Sequence, residues 1–190
     1  MEAKFTIANH RLIGAEALDS PNCDARPSGV EIELLVIHSI SLPPGQFGTG
    51  CPAQLFCNEL DCDSHPYFDQ LRDLRVSAHL LIDRYGSATQ FVPFDRRAWH
   101  AGKSHFQGRT CCNDFSIGIE LEGCDDKPFT DGQYEVLSTI SGLLLSNYPA
   151  LNVDRILGHS DIAPGRKTDP GPHFDWSRYR TALCAGSARP

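Results

Sequence analysis

The sequence predicts an α/β (α+β) fold in a single domain, with a central mixed β-sheet flanked by helices. Two segments are typical of strands. One is an apolar run from Glu33 to Ile40, and the other, from Phe115 to Glu122, alternates between apolar and small or polar residues. A third segment begins with a capping-box pattern at Thr130 and keeps helical spacing of its apolar residues to about Tyr148. A length of 190 residues suits one core, so residues 1–190 are expected to form one domain.

Three shorter elements complete the predicted domain. Residues 78–83 and 88–93 flank a glycine-containing loop, which indicates a β-hairpin. A short strand is expected from Arg155 to His159. A terminal helix is expected to follow Asp175, its N-cap, and to end near Leu183.

Residues 43–74 interrupt the pattern with a long insertion rich in Cys, Pro and Asp. Within it, residues 53–60 and 67–74 are expected to form short helices. Long segments beside a strand end more often carry function than serve only as connections. The insertion is therefore expected to lie near the functional site.

Composition and charge exclude several classes of partner. A net charge of −7 argues against a nucleic acid or an anionic membrane as the main partner. No apolar run approaches the ~18 residues of a membrane span, and residues 1–20 do not resemble a secretory signal. We therefore expect a cytoplasmic protein, and we also expect it to be a monomer. The eight cysteines include no Cys-x-x-Cys pair and are expected to be reduced thiols.

Two of the eight histidines occupy positions typical of ligand sites. His38 and His159 each lie at the end of a predicted strand, where the chain enters an irregular loop. Two imidazoles with one carboxylate, leaving a fourth position for water, are a common catalytic zinc set. Either Asp161 or Asp169 could supply the carboxylate, and spacing alone does not choose between them. The remaining loop histidines, His10, His65, His105 and His173, are expected to be surface residues.

Glu120 is a second candidate for chemistry. The alternation assigns one face of its strand to Phe115, Ile117, Ile119 and Leu121, and the other to Ser116, Gly118, Glu120 and Glu122. A buried carboxylate without a partner is costly. Glu120 is therefore either a general base beside a metal, or, with Glu122, a solvated or ion-paired residue.

Five ordered stretches of the chain match a known family: residues 36–48, 75–86, 90–102, 112–123 and 157–176. The last, LGHSDIAPGRKTDPGPHFDW, is the most specific because its histidine, lysine and aspartate keep a fixed spacing. With these stretches the chain resembles the AmpD-type 1,6-anhydro-N-acetylmuramoyl-L-alanine amidases, within the wider type-2 muramoyl amidase group. The resemblance covers an amidase core of about residues 34–176.

The resemblance implies a role for each matched residue. His38, His159 and Asp169 become the ligands of Zn²⁺. Glu120 becomes the acid/base residue, and Lys167 the cation beside the developing oxyanion. Arg75, Trp99, Arg109 and Ser39 are implied to bind the substrate. Many relatives have asparagine at the position of Ser39, and a hydroxyl is a shorter hydrogen-bonding group.

The implied function is zinc-dependent hydrolysis of the amide bond between 1,6-anhydro-N-acetylmuramic acid and L-alanine in cytosolic muropeptides. The substrate would be a small-molecule muropeptide released during cell-wall recycling. Two alternatives are a broad-specificity amidase acting on intact peptidoglycan and a muropeptide-binding module without catalysis. The complete set of metal and acid/base residues argues against the binding module. A structural zinc site would need a fourth protein ligand.

Overall fold

A computed structural model describes residues 4–187 of the chain. Its strands, in chain order, are β1 (Thr6–Ala8), β2 (Arg11–Ile13), β3 (Glu16–Ala17), β4 (Cys23–Ala25), β5 (Leu34–Ile40), β6 (Leu80–Ile82), β7 (Ala88–Gln90), β8 (Arg96–Ala98), β9 (His105–Phe106), β10 (Arg109–Thr110), β11 (Ser116–Glu122) and β12 (Ile156–Gly158). Its α-helices are α1 (Cys51–Phe56), α2 (Asp131–Asn147), α3 (His159–Ile162) and α4 (Trp176–Ser187). Short 3₁₀ turns lie at Pro66–Leu71, Cys112–Asp114 and Val153–Arg155.

A six-stranded sheet forms the centre of the molecule, with the strand order β12-β5-β11-β6-β7-β3. Strand β5 pairs in parallel with β12 and β11, and β11 pairs in parallel with β6. The predicted hairpin is confirmed, since β6 and β7 are antiparallel. The predicted mixed sheet and single α/β domain are also confirmed.

The register of the sheet brings distant parts of the chain to one level. On adjacent strands, His38 of β5 lies opposite Glu120 of β11. On the other side of β5, Gly158 of β12 lies opposite Ile37, so His159 follows at the level of His38. The carboxyl ends of three parallel strands therefore present these side chains at one edge.

The side chains on the two faces of β11 pack against different parts of the protein. Ile117, Ile119 and Leu121 belong to the main core, together with residues of α2 and α4. Phe115 does not share that face, contrary to the predicted alternation. It packs with Leu34 in a smaller cluster, because β11 begins only at Ser116 and Phe115 follows a 3₁₀ turn outside extended geometry.

The two long helices begin as their capping residues predict. Thr130 and Gln133 form a complete capping box at the start of α2. The backbone N–H of Arg178 donates to the carboxylate of Asp175 at the start of α4 (2.9 Å). Both helices contribute residues to the main core on one face of the sheet.

The insertion 43–74 does carry two short helical segments, with different boundaries from those expected. α1 begins at Cys51 rather than residue 53, and the second segment is a 3₁₀ turn over Pro66–Leu71. Proline near the start of each segment accounts for the shift, since it favours the first helical turn. Buried Glu122 ties the insertion to the sheet by accepting the backbone N–H of Gly48 (2.5 Å).

Several short strands had no counterpart in the sequence prediction. β1 to β4 and β8 to β10 are only two or three residues long, too short for a detectable alternation. The eight cysteines, all within the described part of the chain, are free thiols. Among the described helices, none is long and apolar enough to cross a membrane.

Candidate metal centre

Three side chains converge at the carboxyl edge of the sheet. The Nδ1 atoms of His38 and His159 lie 3.0 Å apart, and each lies 3.0 Å from Oδ2 of Asp169. These three residues are the group that could hold a metal ion among the described residues. The predicted metal ligands are thus brought together, although 131 residues separate His38 from Asp169.

The other candidate aspartate has a different task. Asp161 is exposed, and its Oδ2 accepts the backbone N–H of Gly158 (2.8 Å), which caps α3. His159 begins this short helix, which directs its ring toward His38. Asp169 lies further along the same loop, and its carbonyl accepts the backbone N–H of Ser160 (3.0 Å). That bond folds the loop back and carries the Asp169 carboxylate to both rings.

The donor set fits a zinc ion. Two imidazole nitrogens and one carboxylate oxygen are typical zinc ligands and leave a position for water. Burial lowers the pKa of His38 to about 4, against the opposing effect of Asp169, so the ring stays neutral as a metal ligand requires. Burial of Asp169 opposes ionisation, but the contacts with His159 and His38 outweigh the effect of burial and lower the pKa of Asp169.

Glu120 faces this cluster with one oxygen unused. Its Oε2 is buried and has no hydrogen-bond partner among residues 4–187. Burial, followed by the negative charge of Asp169, raises the pKa of Glu120 well above its usual value, while Lys167 acts in the opposite direction. Leaving such an oxygen unsatisfied is costly unless a ligand or water meets it. Glu122, the other glutamate on the same face of β11, accepts hydrogen bonds from the backbone N–H groups of Gly48 and Arg84.

A cavity of about 410 Å³ opens beside the cluster. Its lining includes Glu120, His159, Asp169 and the predicted residues Ser39, Trp99 and Lys167, together with Tyr67 and Leu74 of the insertion. The volume falls in the range of small-molecule sites, roughly 300–1,000 Å³. The insertion therefore lies at the site, as its position after a strand end led us to expect.

The two predicted arginines lie outside the lining of this cavity. Nη1 of Arg75 donates to the carbonyls of Arg72 and Leu74, 3.1 Å from each. Arg109 pairs with Glu33 and lies over the Phe115 ring, 3.9 Å from its centroid. Their roles in substrate binding remain predictions.

Two further residues at the site were not selected from the sequence. His100 lines the cavity, and its Nδ1 lies 2.9 Å from Nε2 of His38. Arg166 also lines it and donates to the Ala101 carbonyl (2.7 Å). The available signal was slight, since His100 lies beside Trp99 in a matched stretch and Arg166 beside Lys167 in another.

The fold and the converging ligands define the chain as an α/β protein with a candidate metal centre at the carboxyl edge of its sheet. Residues 28–172 match the family model for N-acetylmuramoyl-L-alanine amidase, and the chain belongs to this family.

Relatives and solved structures agree with this assignment. The chain is 53% identical to the 1,6-anhydro-N-acetylmuramyl-L-alanine amidase AmpD of Enterobacter cloacae, over 95% of this chain and 96% of the relative. A crystal structure of a Se-Met AmpD derivative superposes with a TM-score of 0.91 at 51% identity, covering 93% of this chain and 98% of that one. The AmpD-type resemblance is thereby confirmed.

A more distant neighbour has been solved with a ligand. The Escherichia coli amidase AmiD, in complex with the substrate anhydro-N-acetylmuramic acid-L-Ala-D-gamma-Glu-L-Lys, gives a TM-score of 0.60 at 26% identity. That match covers 94% of this chain and 65% of the neighbour.

Proposed function

We propose that this chain is a cytosolic zinc amidase that hydrolyses the amide bond between 1,6-anhydro-N-acetylmuramic acid and the L-alanine of muropeptides during cell-wall recycling. The observation that carries the proposal is the convergence of His38, His159 and Asp169 to 3.0 Å from one another, next to Glu120, whose buried Oε2 has no hydrogen-bond partner among the described residues. A binding module would have no need to keep a carboxylate buried at this cost.

The ligand set and Glu120 divide the chemistry between them. A bound zinc ion supplies a Lewis acid and makes a water nucleophile available near neutral pH. Glu120 accepts the proton of the attacking water as the general base. The same carboxyl group then delivers the proton to the nitrogen of the departing L-alanine.

Lys167 supplies positive charge on the open side of the site. It lines the cavity, and its charge acts on both Glu120 and His38. We assign it to the oxyanion that develops on the substrate carbonyl. One well-placed donor at such a position contributes about 10²–10³ in rate.

The remaining lining accounts for binding of a muropeptide. Trp99 offers an aromatic surface to the sugar, and Ser39 offers a hydroxyl beside the metal ligand His38. Arg75 and Arg109 are proposed to attract the carboxylates of the stem peptide, which the net charge of −7 would otherwise repel. The muropeptide complex of the neighbour AmiD supports this substrate class.

The deciding experiment is mass analysis of the products of an anhydromuramoyl tripeptide, incubated with zinc-loaded and with chelator-treated protein. We expect anhydro-N-acetylmuramic acid and free tripeptide with the loaded protein alone. Equal rates with both preparations would overturn zinc dependence, and no products with either would overturn the amidase.

A parallel incubation with intact cell-wall sacculi tests the alternative substrate. We expect the soluble anhydro-muropeptide to be cleaved faster. Comparable rates on the two substrates would instead identify a broad-specificity amidase.

A further inference from the structure

The Nε2 atoms of the two metal-binding rings contact two consecutive residues, His100 and Ala101. Nε2 of His159 lies 3.1 Å from the carbonyl oxygen of Ala101, and Nε2 of His38 lies 2.9 Å from Nδ1 of His100. A carbonyl can only accept. Nη2 of Arg166 lies 3.2 Å from the same Nε2 but donates to the Ala101 carbonyl at the shorter distance of 2.7 Å, so Nε2 of His159 carries the proton that completes the contact with that carbonyl. Its Nδ1, which faces the metal centre, then presents a lone pair.

A second hydrogen bond allows the same arrangement on the other ring, because a serine hydroxyl can accept as well as donate. Nε2 of His100 lies 3.1 Å from the hydroxyl oxygen of Ser116. When His100 donates to Ser116 from Nε2, its Nδ1 is free to accept from Nε2 of His38. That arrangement leaves the lone pair of His38 on Nδ1, toward the centre, as it is on His159.

The backbone of the His100–Ala101 pair is itself fixed by one side chain. Oδ1 of Asn113 accepts both backbone N–H groups, from His100 at 3.1 Å and from Ala101 at 2.7 Å. Gly118 has no side chain and so leaves room for the His100 ring against the sheet. A Cβ at residue 118 would lie 2.5 Å from Cγ of that ring. Asn113 thus holds the backbone that carries the His100 ring and the Ala101 carbonyl, and neither His100 nor Asn113 belongs to the ligand set.

We propose that His100 and Asn113 are positioning residues that hold both metal-binding imidazoles in the tautomer and direction required for zinc. The inference rests on the proposed zinc amidase and adds to it the residues that prepare its metal centre. Partners of this kind typically contribute 10- to 100-fold to metal affinity. A residue that only stabilised the fold would not change affinity in this selective way.

The test is the zinc affinity of the purified full chain, measured by competition with a chromophoric chelator. His100→Phe keeps a flat ring but removes the acceptor, and Asn113→Ala removes the clamp on both backbone N–H groups. We expect each variant to bind zinc about 10- to 100-fold more weakly than the wild type. His100→Asn and Asn113→Asp restore an acceptor oxygen and should recover most of the affinity.

A spectrum and a matched control separate positioning from stability. The visible spectrum of the Co²⁺-loaded protein should change in His100→Phe and return toward wild type in His100→Asn. Asn22→Ala is the control, because buried Asn22 holds the backbone at Phe56 and Val76 without touching a metal ligand. Circular dichroism checks that each variant is folded, and if His100→Phe is not, the zinc affinity of Asn113→Ala decides.

The outcomes distinguish this inference from the proposed function. Wild-type affinity in both His100→Phe and Asn113→Ala, with an active wild type, would overturn the positioning role and leave the amidase in place. An equal loss in Asn22→Ala would reduce the effect to general destabilisation and also overturn it. A wild type that binds no zinc would overturn both.

Discussion

The floor of the site and its wall differ in how the fold holds them. The floor comprises His38, His159, Asp169 and Glu120, and three of these lie at or just beyond the ends of paired strands. Its two rings are 1% and 3% exposed. Sheet register and buried hydrogen bonds therefore fix the groups assigned to the reaction.

The wall comprises the cavity-lining side chains of Tyr67, Leu74 and Lys167. Tyr67 and Leu74 are 37% and 40% exposed, and all three lie outside the sheet in turns and loops. The side chains of the wall thus have more conformational freedom than those of the floor. Substitutions on the floor should abolish turnover, and those on the wall should change it by degrees.

The largest effect is expected from Asp169→Ala, which removes a metal ligand from the floor. Zinc affinity should fall by more than the roughly 100-fold that an outer partner contributes, and hydrolysis should fall to that of chelator-treated protein. Asp161→Ala is the matched control in the same loop, where loss of a cap costs about 1 kcal/mol of stability but leaves zinc bound. Metal analysis measures both, and stoichiometric zinc in Asp169→Ala would remove it from the ligand set.

Glu120→Gln should have the next largest effect because it removes proton transfer and leaves the ligands intact. We expect kcat to fall about 10²- to 10⁴-fold with full zinc content. Glu122→Gln, on the same face of β11, keeps an acceptor for Gly48 and should retain activity. Near-normal turnover by Glu120→Gln with zinc bound would show that another group is the base.

Lys167→Ala removes a charged side chain from the wall of the site. Its charge is assigned to the transition state, so kcat should fall about 10²-fold while KM changes little. Lys103→Ala, an exposed lysine outside the cavity lining, is the control. A rise in KM with kcat unchanged would instead make Lys167 a residue of ground-state binding.

The smallest effects are expected at the two arginines. Arg75 and Arg109 are exposed and engaged with protein groups, and exposed charges contribute at most about 1 kcal/mol, or roughly fivefold. Each alanine variant should raise KM by about that factor, with kcat unchanged. Arg72→Ala, a neighbouring exposed arginine paired with Asp63, is the control. A much larger rise in KM for Arg75 or Arg109 would show that these arginines, although outside the cavity lining here, are held against the substrate when it binds.

The elements that the sequence predicted well are those with strong local patterns. The apolar run of β5, the alternation of β11 and the Thr130–Gln133 capping box each describe contacts within a few residues. The short strands and the exact limits of the insertion helices were missed because two or three residues carry too little pattern.

By itself the sequence determined the types of residue at the site and the ends of strands on which they lie. Family resemblance then selected Asp169 over Asp161. Only the tertiary structure decided that His38 faces Glu120 in register and that Asp161 caps a helix. It also decided that Arg109 pairs with Glu33. The placement of His100 and Asn113 next to the metal ligands and their backbone was likewise decided by the tertiary structure. The physical reason is that, apart from the local cap by Asp161, these contacts join residues at least 12 positions apart, so they exist only once strand pairing has set the register.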